Sequence, residues 1–308
     1  MKKQKIRIAN GKYIDTLKVD PLKTVINGIS RKVNRSEKVS AINKNEHLNN
    51  QLQINGSSPS EGLIDTEKMR NETITIVGAG AMGSRDILLL APIIFRLITI
   101  DFDVVEFRNL INERTVLYSE KDIGKKKVYA AQERIAVLYP KTKVIAYAKN
   151  VNEMSESEIL YIGKRSSIVI CAIDNGPGIV YLNKILYNHV PVFYQGVHAQ
   201  GRSGQIIRTY PGSPCLKCCM DINTGSEIRT LHREPGLGIH FASIAQLTVQ
   251  LVIQELAVKH GSTLGNPLSP EVNMLYMTNM ATDLTPMGPG IVPFKINRKP
   301  SCDICGRR

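Results

Sequence analysis

The sequence predicts an α/β protein with a Rossmann-like, doubly wound, mostly parallel sheet and a more irregular C-terminal half. Three observations carry that expectation. Residues 74–103 read as strand, glycine turn, helix and second strand. Short β-branched strands then alternate with helical stretches as far as residue 197. The second half carries two Cys-x-x-Cys pairs among Pro- and Gly-containing turns. Strand alternating with helix is the pattern of a parallel sheet covered on both faces.

Taken in order, residues 74–77 form a short apolar run suited to a buried parallel strand. Gly78, Gly80 and Gly83 then give GxGxxG where a helix should begin, and a second strand over 97–100 ends on Asp101, 18 residues after Gly83. In such a unit the glycines admit a phosphate, the helix N-terminus faces its charge, and the distal acid takes ribose hydroxyls. A glycine turn that only packs helix on sheet would read the same way. The motif alone does not separate NAD, FAD and ATP.

The polar stretch 104–115 lies downstream of a strand's carboxyl end, where open α/β sheets carry ligand contacts. Three lysines, Lys125, Lys126 and Lys127, lead into a helix over 128–139 that Pro140 ends. Residues 144–148 are a third strand and 154–163 a short helix. The buried strand 167–173 ends in Asp174, on the same sheet edge as Asp101; there it is a site acid or a cap for the next helix. A helix over 179–189, a strand over 192–197 and an antiparallel strand over 204–208 follow. The helix over 239–259 carries an apolar face of Ile244, Leu247, Leu251 and Leu256, which suits core or dimer packing.

Composition narrows the class. The chain has 308 residues and is 43% hydrophobic, enough for a sizeable core. No run of about 18 apolar residues predicts a membrane span. The basic start lacks the apolar segment of a secretory signal. Six cysteines, four of them paired as Cys-x-x-Cys, suit a reducing compartment, so the cytoplasm is the expected location and no membrane partner is expected. The net charge is +13, and residues 1–70 hold 14 Lys/Arg against 7 Asp/Glu. A basic arm of this kind binds nucleic acid or an acidic partner, or is simply solvated, and solvation is the favoured reading. Residues 1–62 are expected to form a polar extension, partly disordered or substrate-holding, ahead of a main domain over 63–308.

The cysteine pairs are Cys215 with Cys218 and Cys302 with Cys305. Two such knuckles complete a tetrahedral four-thiolate site, the usual closed arrangement for Zn²⁺, which would pin the C-terminal tail to the domain. A redox dithiol fits poorly, because it opens a helix and needs no second pair. Cys219 is a spare thiol, and Cys171 within its apolar strand is a small buried hydrophobe.

From about residue 70 onward these motifs together resemble the ThiF/MoeB-type adenylyltransferases, the bacterial relatives of ubiquitin-activating enzymes. The resemblance lies in GAGAMGS, ITIDFDVVEFRNL, RTVLYSEKDIGKKKV, CAIDN, SGQI, PCLKC and PSCDICG, in that order. It implies a homodimer that binds ATP with Mg²⁺ over the glycine loop. A substrate's C-terminal carboxylate attacks the α-phosphate, giving an acyl-adenylate and pyrophosphate. By position, Gly78, Gly80 and Gly83 match the phosphate loop, Asp101 the ribose acid, and Asp103 the second acid. Asn109 matches the asparagine of the family's N-x-x-R-Q stretch, and Arg114 its arginine if two residues are inserted. Lys127 matches the lysine after the glycine in the family's GxxK, with Lys125 and Lys126 as substitutes, and Asp174 matches the magnesium-binding acid.

Departures from the family pattern matter as well. His232 stands near the place where many relatives have a thioester-forming cysteine, so adenylation without an enzyme thioester is expected. Ile179 replaces an arginine, and Arg70 is the nearest candidate for an arginine donated across a dimer. The implied substrate is a ubiquitin-like sulfur carrier protein or a small peptide held by residues 1–62. A tRNA-directed carboxyl-adenylating enzyme and a nonenzymatic nucleotide-binding scaffold are the alternatives.

Overall fold

The computed structural model describes residues 5–7, 13–15, 64–111, 115–220, 236–262, 268–269 and 271–306. The chain divides into two compact units, Met1–Gly56 and Ser57–Arg308. In the first, β1 (Lys5–Arg7) pairs antiparallel with β2 (Tyr13–Asp15), Ile6 opposite Ile14. The rest of the 1–62 extension lies outside the described residues.

The second unit is built on one sheet. Its strands are β3 (Thr73–Val77), β4 (Arg96–Ile100), β5 (Lys143–Tyr147), β6 (Ile168–Cys171), β7 (Val192–His198), β8 (Ser203–Thr209), β9 (Met274–Thr278) and β10 (Gly290–Phe294). They lie in the order β10-β9-β8-β7-β6-β3-β4-β5. The strands from β3 to β7 pair in parallel, and β8, β9 and β10 add three antiparallel strands. The chain runs outward from β3 through β4 to β5, then returns to β6 on the other side of β3. The crevice between the carboxyl ends of β3 and β6 is therefore the topological switch point, where open α/β sheets bind ligands.

Helices cover both faces: α1 (Thr66–Asn71), α2 (Gly83–Leu90), α3 (Phe107–Leu110), α4 (Lys127–Leu138), α5 (Glu156–Lys164), α6 (Gly176–Leu186), α7 (Leu216–Met220) and α8 (Gly238–Lys259). The two-residue strand period sorts the core. Ile168 and Ile170 of β6 join Ile87, Ile135 and Val252 on one face, whereas Val169 and Cys171 join Ile159 and Leu182 on the other. Cys171 is thus a core thiol, and burial pushes it up to about 12.

α8 is long and apolar enough to cross a membrane by length and composition alone, but half of that stretch is buried against the protein. Ile244, Leu251 and Leu256 are buried and Leu247 packs partly against them, as the apolar face anticipated. α6 begins at Gly176, three residues earlier than expected. Asn175 caps it by accepting from Gly178 N, and Pro177 sits in the first turn, where a proline costs no helical hydrogen bond. β9, β10 and α1 continue the fold in segments that sequence analysis did not single out.

Two groups of polar contacts fasten helices to the sheet. Asp86 of α2 accepts from Gln195 Nε2 of β7, and Gln195 Oε1 accepts from Thr248 Oγ1 of α8 at 3.0 Å. Burial raises the Asp86 carboxyl well above its ordinary value. At the other end of α8, Glu72 Oε1 accepts from Lys259 Nζ at 2.7 Å and lies 2.5 Å from His260 Nε2, while Oε2 takes the Ser167 hydroxyl.

Candidate functional site

The cleft at the switch point has a volume of about 420 Å³ and is lined from the ends of β3, β4, β5 and β6 and the start of α4. The glycine loop forms one wall. Gly78 has φ +100°, and a Cβ there would lie 2.7 Å from the Ala172 carbonyl oxygen. A Cβ on Gly83 would meet the Gly78 carbonyl at 1.8 Å, so this glycine lets loop and helix close on each other. Gly80 has nothing within 4 Å of its missing Cβ: it leaves the backbone open to a ligand.

The loop is clamped from both sides. Asp101 Oδ2 accepts from Ala79 N at 2.6 Å, and Tyr118 Oη donates to the Ala79 carbonyl at 2.7 Å. Asp101 Oδ1 accepts from Asp103 N at 2.7 Å. Burial pushes the Asp101 carboxyl up, against the opposing pull of Lys127 and these two N–H donors. Burial, and after it the charges of Asp101 and Asp122, raises the Tyr118 phenol well above its ordinary value, so it stays a donor. Tyr118 was not anticipated; its contact spans 39 residues and leaves no local pattern.

Of the three lysines, only Lys127 lines the cleft. Its Nζ lies 2.7 Å from Asp103 Oδ2, and the residue is 5% exposed. Asp103 takes one of the three ammonium donors. Lys125 instead pairs with Glu133 at 2.7 Å, and Lys126 Nζ donates to the Phe102 carbonyl at 2.5 Å. Asp174 lines the cleft from beyond β6. Asn109 lines it too, and supports α3: its Oδ1 accepts from Glu106 N at 2.8 Å and its carbonyl accepts from Thr115 N at 3.1 Å. Arg114 and His232 lie outside the described residues. Arg108, which sequence reading passed over, does line the cleft. Arg70 sits before β3, at the opposite end of that strand from the glycine loop, with its guanidinium 5.0 Å from the Phe95 ring centre.

The glycine loop, its acid clamp, the buried lysine and the acid after β6 therefore meet at one crevice. The profile of the ThiF family matches residues 48–289. The chain belongs to the ThiF family.

Among the similar curated proteins of this family is the SAMP-activating enzyme E1 of Haloferax volcanii, 28% identical over 153 residues, 49% of this chain and 54% of the relative. The sulfur carrier protein adenylyltransferase of Thermus thermophilus is 32% identical over 120 residues, 39% of this chain and 42% of the relative. The chain thus spans about half, or less, of the length of these curated relatives. Among solved structures, E. coli MccB with ATP superposes with a TM-score of 0.62 at 23% identity, covering 78% of this chain and 68% of that one. That likeness establishes the shared Rossmann-like fold.

This ThiF-family chain also gathers its four anticipated cysteines. The Sγ atoms of Cys215, Cys218, Cys302 and Cys305 all lie within 4.8 Å of one another, with Cys215–Cys302 at 3.6 Å and Cys218–Cys305 at 3.3 Å. Thiolates on a tetrahedral ion with bonds of about 2.3 Å stand roughly 3.8 Å apart, so the donor set fits a metal of that kind. Lys299 N donates to Cys218 Sγ at 3.3 Å, and Lys217 pairs with Asp303 across the two knuckles at 2.8 Å. Burial acts to raise the Cys302 thiol, but backbone N–H groups at Cys305 and Ile304 and the neighbouring cysteines outweigh it and bring it down to about 7. Cys219 stays outside the cluster, and burial pushes it up to about 12.

Proposed function

We propose that this chain binds ATP in the switch-point cleft and adenylates the C-terminal carboxylate of a partner, releasing pyrophosphate. The observation that carries this is the convergence of an open Gly80, a buried Lys127 and the acid Asp174 on one crevice. Adenylation builds negative charge on the α-phosphate and on the departing pyrophosphate. The N-terminal turn of α2 faces that charge and Lys127 partly neutralises it. Asp101 and Asp103 serve the ribose side and hold the loop and the lysine in place. Asn109 keeps α3 beside them, and Arg114 adds a further cation. Asp174 would hold Mg²⁺, which would supply charge neutralisation at the phosphates. No general base is needed, because the attacking carboxylate is already ionised. Zn²⁺ is the metal proposed for the four-cysteine cluster, in a structural role.

The substrate class proposed is a ubiquitin-like sulfur carrier or a small peptide, and the assembly a cytoplasmic homodimer. The carrier reading is supported by relatives named as sulfur carrier adenylyltransferases, and the peptide reading by the likeness to MccB, which has been solved with MccA. With His232 near the position of the family's thioester cysteine, adenylation without an enzyme thioester is the expected course.

The test is ATP–pyrophosphate exchange with Mg²⁺ against a Gly-Gly-ended carrier, a peptide panel and bulk tRNA. Exchange with the carrier or a peptide, abolished in Asp174→Ala while the fold survives, is the expected result. Exchange with tRNA alone would replace the substrate class. ATP binding without exchange for any carboxylate would leave a nucleotide-binding scaffold.

A further inference from the structure

We propose that Arg108 is a polyphosphate-gripping cation of this cleft, parked on Glu106 until a nucleotide arrives; the proposal rests on the ATP reading above. Among the described residues six charged side chains line the cleft: the acids Asp101, Asp103 and Asp174 and the cations Arg108, Lys127 and Lys149. Their charges cancel, yet the cations are not equivalent. Lys127 lies deep, 5% exposed, and is committed to Asp103 at 2.7 Å. Lys149 follows β5 and pairs with Glu158 at 2.6 Å. Arg108 stands at the mouth with its side chain 61% exposed, and Glu106 Oε2 is its partner through Nε alone.

A guanidinium carries five N–H donors. One is spent on Glu106, so the four on Nη1 and Nη2 have no acceptor among the described residues. The base beneath Arg108 is fixed, because α3 is held by the Asn109 contacts to Glu106 N and Thr115. A rigid base carrying an under-used fork is suited to bidentate binding of phosphate oxygens, which a lysine does not reproduce. The exposed pair with Glu106 is weak enough for a polyphosphate to displace. Depth then divides the work: Lys127 meets the phosphate nearest the nucleoside, and Arg108 meets the outer phosphates that leave as pyrophosphate.

The experiment is calorimetric titration of the full chain with Mg²⁺-ATP and with AMP, for wild type, Arg108→Ala, Arg108→Lys and Glu106→Gln. Arg108→Ala should weaken ATP roughly 10- to 100-fold, the loss of charge-assisted hydrogen bonds, and leave AMP unchanged. Arg108→Lys should fall between, and Glu106→Gln should tighten ATP. Equal ATP affinity in wild type and Arg108→Ala overturns the proposal while leaving the ATP reading intact. Parallel loss of ATP and AMP overturns it too, since the residue would then serve the nucleoside or the fold. Wild-type protein that binds neither nucleotide removes the ATP reading, and this proposal with it.

Discussion

Gly78 and Gly80 are two positions apart and have opposite requirements. At Gly78 a methyl group would meet the Ala172 carbonyl at 2.7 Å in a backbone of φ +100°, so Gly78→Ala should lower the melting temperature. At Gly80 a methyl meets nothing within 4 Å, so Gly80→Ala should melt like wild type yet bind ATP at least about tenfold more weakly, because the methyl fills the ligand's approach. Thermal melts with ATP titrations check both; equal behaviour of the two variants would contradict the division of roles. Gly78, Gly80 and Asp101 were legible as cleft residues because a strand-turn-helix unit fixes their spacing, Asp174 because it ends a buried strand on the same sheet edge, and Asp103 and Lys127 through the family resemblance. Tyr118, Arg108 and Asp86 were not. The first and last act through partners 39 and 109 residues away, and Arg108 depends on how a four-residue helix turns toward the cleft.

At the scale of elements, the cysteine knuckles and the Glu72 clasp decide how the later half is fastened. Cys302→Ser should reduce bound metal and lower the melting temperature, measured by metal analysis and calorimetry on the same sample. Unchanged metal content would refute the four-cysteine site. The clasp predicts a pH dependence. Burial alone would raise the Glu72 carboxyl, but Lys259, Ser167 and His260 hold it below its ordinary 4.5. The folded state therefore binds that proton less readily than the unfolded chain. The stabilisation is present above about pH 4.5 and is lost as pH falls through the depressed folded value. Glu72→Gln should be less stable than wild type at pH 7, and denaturant titrations should find the gap closing under acid; a constant gap from pH 7 to pH 3 would contradict the clasp. Most parallel strands were legible from their β-branched runs. β9 and β10 were not, because β9 mixes methionine with tyrosine and β10 contains Pro293, which only an edge strand tolerates.

For the sheet of the second unit as a whole, one topological fact organises the chemistry. The chain starts at β3, winds outward on one side and resumes on the other, leaving a crevice between β3 and β6 that helices cannot fill. The described residues assigned to ATP gather there. α8, α2 and β7 brace it through the buried Asp86–Gln195–Thr248 chain. The central claim is attack of a carboxylate at the α-phosphate. The direct measurement is mass spectrometry and phosphorus analysis of a single turnover with ATP and the carboxylate partner that supports exchange. The account predicts one adenylyl group on the partner's C-terminal carboxylate and one pyrophosphate released per turnover. Formation of ADP with an acyl phosphate, or ATP consumption that leaves the carboxylate unmodified, would contradict it.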